Sequence, residues 1–200
     1  NWQRLKNRNE QLTRNPAGPG WRCEFDWSSA LHAVEIFPAL GELLLQSAFR
    51  RWPISMLPLR PVAKAPSVSF VLPFRGRKRL PQLLATLQSI AGQVGVDVEA
   101  VVVEQDQQQT VRTDLPTWVS YLHLPHPQGD TRWRKCWAFN EGVRAARGDI
   151  LVCHDAYILC PARYALTAKQ ILDQGRGSAF LQRFLFYLTQ LDSEGLYRSG

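Results

Sequence analysis

Polar side chains gather at three places in this chain, each where an apolar run stops. Ser67-Val-Ser-Phe-Val-Leu72 leads into Pro73-Phe-Arg-Gly-Arg-Lys-Arg79, a turn with four cations and one glycine. Val101-Val-Val103 ends on Glu104-Gln-Asp106, and Ile150-Leu-Val-Cys153 ends on His154-Asp155. A basic turn between a strand and a helix suits phosphate: the helix start offers unpaired amide N–H groups, and arginine adds bidentate contacts. The same turn also reads as a solvated basic loop. Glu104 or Asp106 could accept hydrogen bonds from a nucleobase imide or a ribose hydroxyl, or pair with a nearby arginine. Asp155, ionised directly after a buried strand, needs a partner. A metal ion on a diphosphate would be one, and His154 beside Asp155 suits Mn²⁺ better than Mg²⁺. Otherwise Asp155 caps the following turn, with His154 a partly buried hydrogen-bonding group.

A fourth stretch, Trp133-Arg-Lys-Cys-Trp-Ala-Phe-Asn-Glu-Gly142, carries Arg134 and Lys135 ahead of Asn140. Asparagine inside a helix is mildly unfavourable and invites a specific hydrogen-bonding role. Trp133 and Trp137 fall one turn apart, as core packing would have them. No Gly-x4-Gly-Lys-Ser/Thr loop occurs, and no Gly-x-Gly-x-x-Gly follows a strand, which removes P-loop and standard dinucleotide readings. His123 and His126 flank Pro125 without a spaced partner and receive no role.

The elements that must position these residues follow from periodicity. Val68–Leu72 and Val98–Val103 are nearly continuous apolar strands, as strands buried on both faces are. Val119–Leu124 and Ile150–Cys153 are two more. Leu80, Leu83, Leu84, Leu87 and Ile90 form a helical stripe ending at Gly92. Cys136, Phe139, Val143 and Ala146 mark a helix over 133–147, closed by Gly148. Strand–helix–strand alternation predicts an α/β fold with a parallel sheet and right-handed crossovers.

Ahead of this unit lies a different pattern. Residues 1–27 are polar and turn-rich, through Asn15-Pro-Ala-Gly-Pro-Gly20, and read as irregular. A helical stripe runs from about Ser28 to Arg51 and is kinked or split at Pro38. Pro53, Pro58, Pro61 and Pro66 make an extended linker. The expected organisation is a helical extension and linker over 1–66 and the α/β domain over 67–200. Phe180–Leu188 is an apolar run that is either a strand or a short helix.

The composition, 45% hydrophobic and 20% charged, supports a globular core. A formal charge of +7 implies anionic partners of some kind: nucleic acid, a membrane surface or a phosphorylated substrate. No apolar run reaches the roughly 20 residues of a membrane span. The start, Asn1-Trp-Gln-Arg-Leu-Lys6, lacks the apolar core of a signal peptide. With Cys23, Cys136, Cys153 and Cys160 showing no paired metal spacing, the expectation is reduced thiols in a cytoplasmic protein. Arg50-Arg51-Trp52 adds peripheral contact with a membrane surface as an option.

Pro73-Phe-Arg-x-Arg77, Val103-Glu-Gln105, the basic and aromatic stretch ending Asn140-x-Gly142, and the strand running into His154-Asp155 and Pro161 together resemble GT-A nucleotide-sugar glycosyltransferases. The flavour is that of the family 2 group and the related β-1,4-galactosyltransferase-like enzymes, over about residues 68–165. The resemblance implies a GT-A (Rossmann-like), mainly parallel sheet flanked by helices, and inverting transfer of a sugar from a nucleotide-sugar donor such as a UDP-sugar to an acceptor hydroxyl. The acceptor would be a carbohydrate or lipid-linked. By position, Pro73, Phe74 and Arg75 would line the nucleoside site and Glu104 would contact the base. Lys135 and Asn140 would sit near the diphosphate or sugar, with Arg134 a weaker companion. Asp155, with His154, would hold a divalent metal (Mn²⁺ or Mg²⁺) on the diphosphate.

Two departures from that pattern stand out. The family's Asp-x-Asp is replaced by His154-Asp155-Ala156-Tyr157, so either His154 and Asp155 bind metal or cations such as Lys135 take its part. No late acidic residue matches the family's general base; Asp192 and Glu194 are the only late pair, and no catalytic residue is assigned. Two alternatives remain: a non-catalytic GT-A homologue or scaffold, and a basic module for nucleic acid or anionic surfaces using Arg75–Arg79, Arg132–Lys135 and Arg144–Arg147. The second lacks a recognised nucleic-acid motif, and its cations lie at strand ends.

Overall fold

The computed structural model describes residues 11–14, 21–24, 38–126, 132–179, 186 and 188–199. The chain falls into two compact units, Asn1–Ala48 and Phe49–Gly200. In the first, β1 (Gln11–Arg14) pairs antiparallel with β2 (Trp21–Glu24), with Gln11 opposite Glu24 and Arg14 opposite Trp21. This corrects the expectation of irregular chain there. The run Asn15–Gly20 that prompted it is the sequence between two strands, and turn residues mark a connection without describing its flanks. Helix α1 (Pro38–Arg51) begins at Pro38, where a missing N–H costs nothing. The earlier part of the expected stripe lies outside the described residues, as does most of the 180–188 run.

The second unit is built on β3 (Val68–Phe74), β4 (Val98–Glu104), β5 (Ser120–His123) and β6 (Ile150–Cys153), all parallel, in the order β5-β4-β3-β6. The helices are α2 (Leu80–Ala91), α3 (Lys135–Ala145), α4 (Tyr164–Leu172) and α5 (Gln190–Ser199). Every residue of β3 and β4 is buried. Side chains alternate across the pleat: Phe70, Leu72, Ala100 and Val102 pack with Leu83, Leu87 and Ile90 of α2. Val71, Val101 and Val103 pack with Ala138 and the partly buried Phe139 and Val143 of α3 on the other face. Each fully buried large side chain contributes about 1.5–3 kcal/mol of transfer free energy, so these two faces carry the fold.

Close backbone approach explains two glycines. A Cβ on Gly142 would lie 2.3 Å from a Val71 methyl and 2.8 Å from one of Val103, so α3 reaches the sheet only because residue 142 has no side chain. Gly92 ends α2 with an ordinary φ of −76°. Its constraint is room, because a Cβ there would meet the Ser55 carbonyl oxygen at 1.9 Å. The proline-rich stretch 52–66 is tied to this second unit: Leu57 N–H donates to Gln88 at 3.1 Å, and Ala162 N–H to Pro53 at 2.9 Å. Arg60 donates to the carbonyls of Ala91, Gln93 and Val96 at 2.7–3.0 Å, capping the end of α2.

Helix α3 starts later than the sequence pattern suggests. Trp133 and Arg134 precede it, so Trp133 does not stack one helical turn from Trp137, and it is 40% exposed. The described helices include none long and apolar enough to cross a membrane.

Candidate functional site

The chain runs from β3 outward to β4 and β5, then returns to the other side of β3 as β6. That reversal leaves a crevice between the carboxyl ends of β3 and β6, the usual ligand position in an open parallel sheet. A cleft of about 70 Å³ lies there, lined by Pro73, Phe74, Arg75, Arg79, Trp133, Lys135, Asp155, Ala156 and Tyr157. Whole small-molecule sites are roughly 300–1,000 Å³, so this volume has room for only part of such a molecule.

Each wall has a local cause. Beyond Phe74 the backbone turns at Gly76, whose φ of +85° few side chains tolerate. A 3-10 turn, Arg77–Arg79, then leads into α2. This turn divides the four cations: Arg75 and Arg79 line the cleft, Lys78 is exposed and does not line it, and Arg77 reaches the Asp114 carboxylate at 2.8 Å and the Thr110 carbonyl. Lys135 is the first residue of α3, and its ammonium donates to the Asp155 carboxylate. Four residues along, the Phe139 ring centroid lies 5.6 Å from that ammonium, within cation–π reach. The Tyr157 hydroxyl lies 3.4 Å from the second Asp155 oxygen.

Gln105, part of the Val103-Glu-Gln105 block but given no role by the sequence, holds the start of α3. It is fully buried, and its side-chain carbonyl accepts the Arg134 backbone N–H at 2.8 Å, which fixes the chain entering α3 and so places Lys135. Arg79, Trp133, Ala156 and Tyr157 also join the cleft without having been selected. Of these, Arg79 had a signal in the basic turn, and Trp133 opened the basic and aromatic stretch but read as core packing.

Of the expected site residues, the fold brings together Pro73, Phe74, Arg75, Lys135 and Asp155. Three others lie elsewhere. Asn140 is exposed on α3 and does not line the cleft. Glu104 stands beside Phe74 in the sheet register but is fully buried. Its carboxylate accepts the Thr110 N–H at 3.0–3.1 Å together with the Thr110 and Tyr121 hydroxyls. A buried carboxylate must find donors, and loop 105–111 folds back to supply them. Burial, then the hydrogen bond to Glu104, raises the Tyr121 phenol above its ordinary range, so it stays a donor.

His154 points into the core, edge-on to Phe70 and Tyr164 at centroid distances of 5.6 and 6.2 Å. Burial lowers its pKa below the usual histidine value. Its Nδ1 lies 2.9 Å from the Asp155 carbonyl oxygen, while the Asp155 carboxylate faces Lys135. Successive residues of extended chain point opposite ways, so these neighbours do not share a ligand. Among the described residues no group of three or more His, Cys, Asp or Glu side chains could hold a metal ion. Asp155 is the one carboxylate among the cleft residues, and an ammonium already lies on it. As they stand, these residues do not fit a divalent-ion site.

Comparison with solved structures finds a mannosyltransferase, PcManGT from Pyrobaculum calidifontis, in complex with GDP-Man and Mn²⁺. It matches at 23% identity with a TM-score of 0.36, over 67% of this chain and 40% of that one. This chain therefore spans well under half of that transferase. No family model matches, and no curated protein matches. The likeness is distant, so the reading of function stands on the cleft itself.

Proposed function

We propose that this chain is the donor-binding part of a glycosyltransferase, using a nucleotide-sugar (a UDP-sugar in the first instance) and an acceptor hydroxyl on a carbohydrate or lipid-linked glycan. The observation that carries this reading is the cleft at the β3/β6 reversal. It collects Arg75, Arg79 and Lys135 around a single carboxylate, with Phe74 and Trp133 beside them. Cations suit a diphosphate, and the exposed Trp133 ring suits a base or sugar face, while Phe74 is almost fully buried and belongs to the core behind the cleft. In the inverting reaction the acceptor oxygen forms a bond to the anomeric carbon as the bond to the diphosphate breaks from the opposite face. The diphosphate leaves with the electron pair, and the acceptor proton passes to a base outside this cleft. The reaction belongs in the cytoplasm, at the membrane surface where the acceptor is lipid-linked.

Two features weigh against a basic nucleic-acid module. Arg77, Arg144 and Arg147 are held by Asp114, Glu141 and Glu99, and these pairs lie on different elements. One observation favours the non-catalytic variant of our reading: Asp155 is tied to Lys135. The test is calorimetric titration and thermal shift with UDP-, GDP- and dTDP-sugars, with Mn²⁺ present and absent. Saturable binding to at least one nucleotide-sugar is expected. Indifference to all of them under both conditions overturns the proposal, and binding without turnover on any acceptor selects the non-catalytic variant.

A further inference from the structure

The cleft carries positive charge of its own where a metal on a diphosphate would otherwise supply it. Lys135, Arg75 and Arg79 line it together with one carboxylate, Asp155, which Lys135 contacts. In the Lys135–Asp155 pair the side chains keep 39% and 27% of their surface exposed, so the pair is partly open to water. Two more sources of positive potential converge there. Arg79 immediately precedes α2 and Lys135 opens α3, and neither helix has an acidic residue in its first turn or a side-chain cap at its start. The amino ends of both helices thus stay uncompensated.

The other groups that could ligate an ion are engaged away from the cleft. Glu104 is taken up by Thr110 and Tyr121, and the His154 ring lies among Phe70 and Tyr164. Tyr157 does line the cleft, but its hydroxyl lies 3.4 Å from the Asp155 carboxylate and is a neutral phenol. A divalent ion on Asp155 would sit against the Lys135 ammonium, and like charges at contact oppose each other.

Resting on the nucleotide-sugar reading, we propose that this chain neutralises the donor's diphosphate with side chains and binds nucleoside diphosphates without a divalent ion. Lys135 makes the central contact, Arg75 and Arg79 flank it, and Asp155 is a positioning residue that aims Lys135 before the ligand arrives. Phe139 supports the ammonium from the helix side.

The experiment is calorimetric titration of the chain with UDP and with GDP, first in EDTA and then in excess Mn²⁺. The dissociation constants should agree within about threefold, whereas Lys135→Ala should weaken binding roughly 10- to 100-fold, as loss of a charged hydrogen bond does. Lys135→Arg should retain most of the affinity. Lys135→Gln and Arg79→Ala give the same reading if Lys135→Ala melts below the assay temperature. Paramagnetic resonance of Mn²⁺ gives an independent readout: the free-ion signal should be unchanged by the chain alone. Binding only with Mn²⁺, or a signal quenched by the chain and restored by Asp155→Asn, overturns the inference and leaves the nucleotide site standing. Binding insensitive to EDTA and to the loss of Lys135 overturns the role of that residue. No binding of either nucleotide in either buffer overturns both the inference and the function beneath it.

Discussion

Two carboxylate–cation pairs bracket the sheet, one at each end of its strands. Where the strands begin, Glu99 is 3% exposed and bonded to Arg147, with Ser69 Oγ at 2.7 Å and the Arg147 backbone N–H at 2.6 Å. Ser69 in turn accepts the Gly148 N–H at 2.8 Å, so the network pins the turn that delivers β6 beside β3. Where the strands end, Asp155 holds Lys135 at the mouth of the cleft, half open to water. The first pair has its oxygens filled by the protein. The second leaves charge partly open to water, which is what a binding site would need and a structural tie of the same chemical type would not.

Removing each pair in turn tests that contrast, and the largest effect belongs to Glu99. Glu99→Ala strands the Ser69 hydroxyl and the Arg147 amide, and should cost about 2–3 kcal/mol in urea unfolding. Asp155→Asn should cost under about 1 kcal/mol, because partly exposed pairs contribute little. Equal costs would erase the distinction between the two ends.

The Gly142 contact is next in size. Gly142→Ala should cost about 1–3 kcal/mol by overpacking against Val71 and Val103, and should also weaken nucleotide binding as the start of α3 shifts. Unchanged stability would mean α3 can lift from the sheet freely.

Acid pH separates the pairs further. Burial acts to raise the Glu99 pKa, but the Ser69 hydroxyl and the Arg147 amide and guanidinium outweigh it and hold it below the ordinary glutamate range. A lowered folded-state value means the stabilisation is complete above the unfolded pKa, about 4.3, and is lost as pH falls through the folded value. Glu99→Gln should therefore flatten the acid limb of the stability profile. An unaltered limb would assign acid sensitivity to other carboxylates. Smallest of all, Trp133→Ala, at an exposed ring beside the cleft, should move stability by no more than about 0.5 kcal/mol. It should weaken sugar-nucleotide binding measurably, and an unchanged dissociation constant would remove Trp133 from the site.

Much of the fold was readable because two periods dominate the chain. The runs in β3 and β4 and the stripe in α2 left little choice of element, and Gly92 fell where α2 ends. The site was readable only in part. Pro73, Phe74, Arg75, Lys135 and Asp155 met as their positions at element ends suggested, but Glu104, His154 and Asn140 did not join them. Glu104 looks identical in sequence whether its carboxylate faces a ligand or a loop, and the choice depends on Thr110 and Tyr121 folding onto it. Glu99 drew no notice because one carboxylate in an apolar strand gives no sign of the partners waiting across the sheet.

The amino-acid order by itself determined the strands, the helices between them and the polar tips at which chemistry could occur, because local hydrophobic period and turn residues act over a few positions. Which tips meet was decided only by the tertiary structure. The reversal that seats β6 against β3 is a matter of strand pairing, and it brings Arg75 and Arg79 to Asp155, while the packing of α3 at Gly142 and the Gln105 bond deliver Lys135 and the pleat turns His154 inward. Charge, in this chain, is gathered by sheet order.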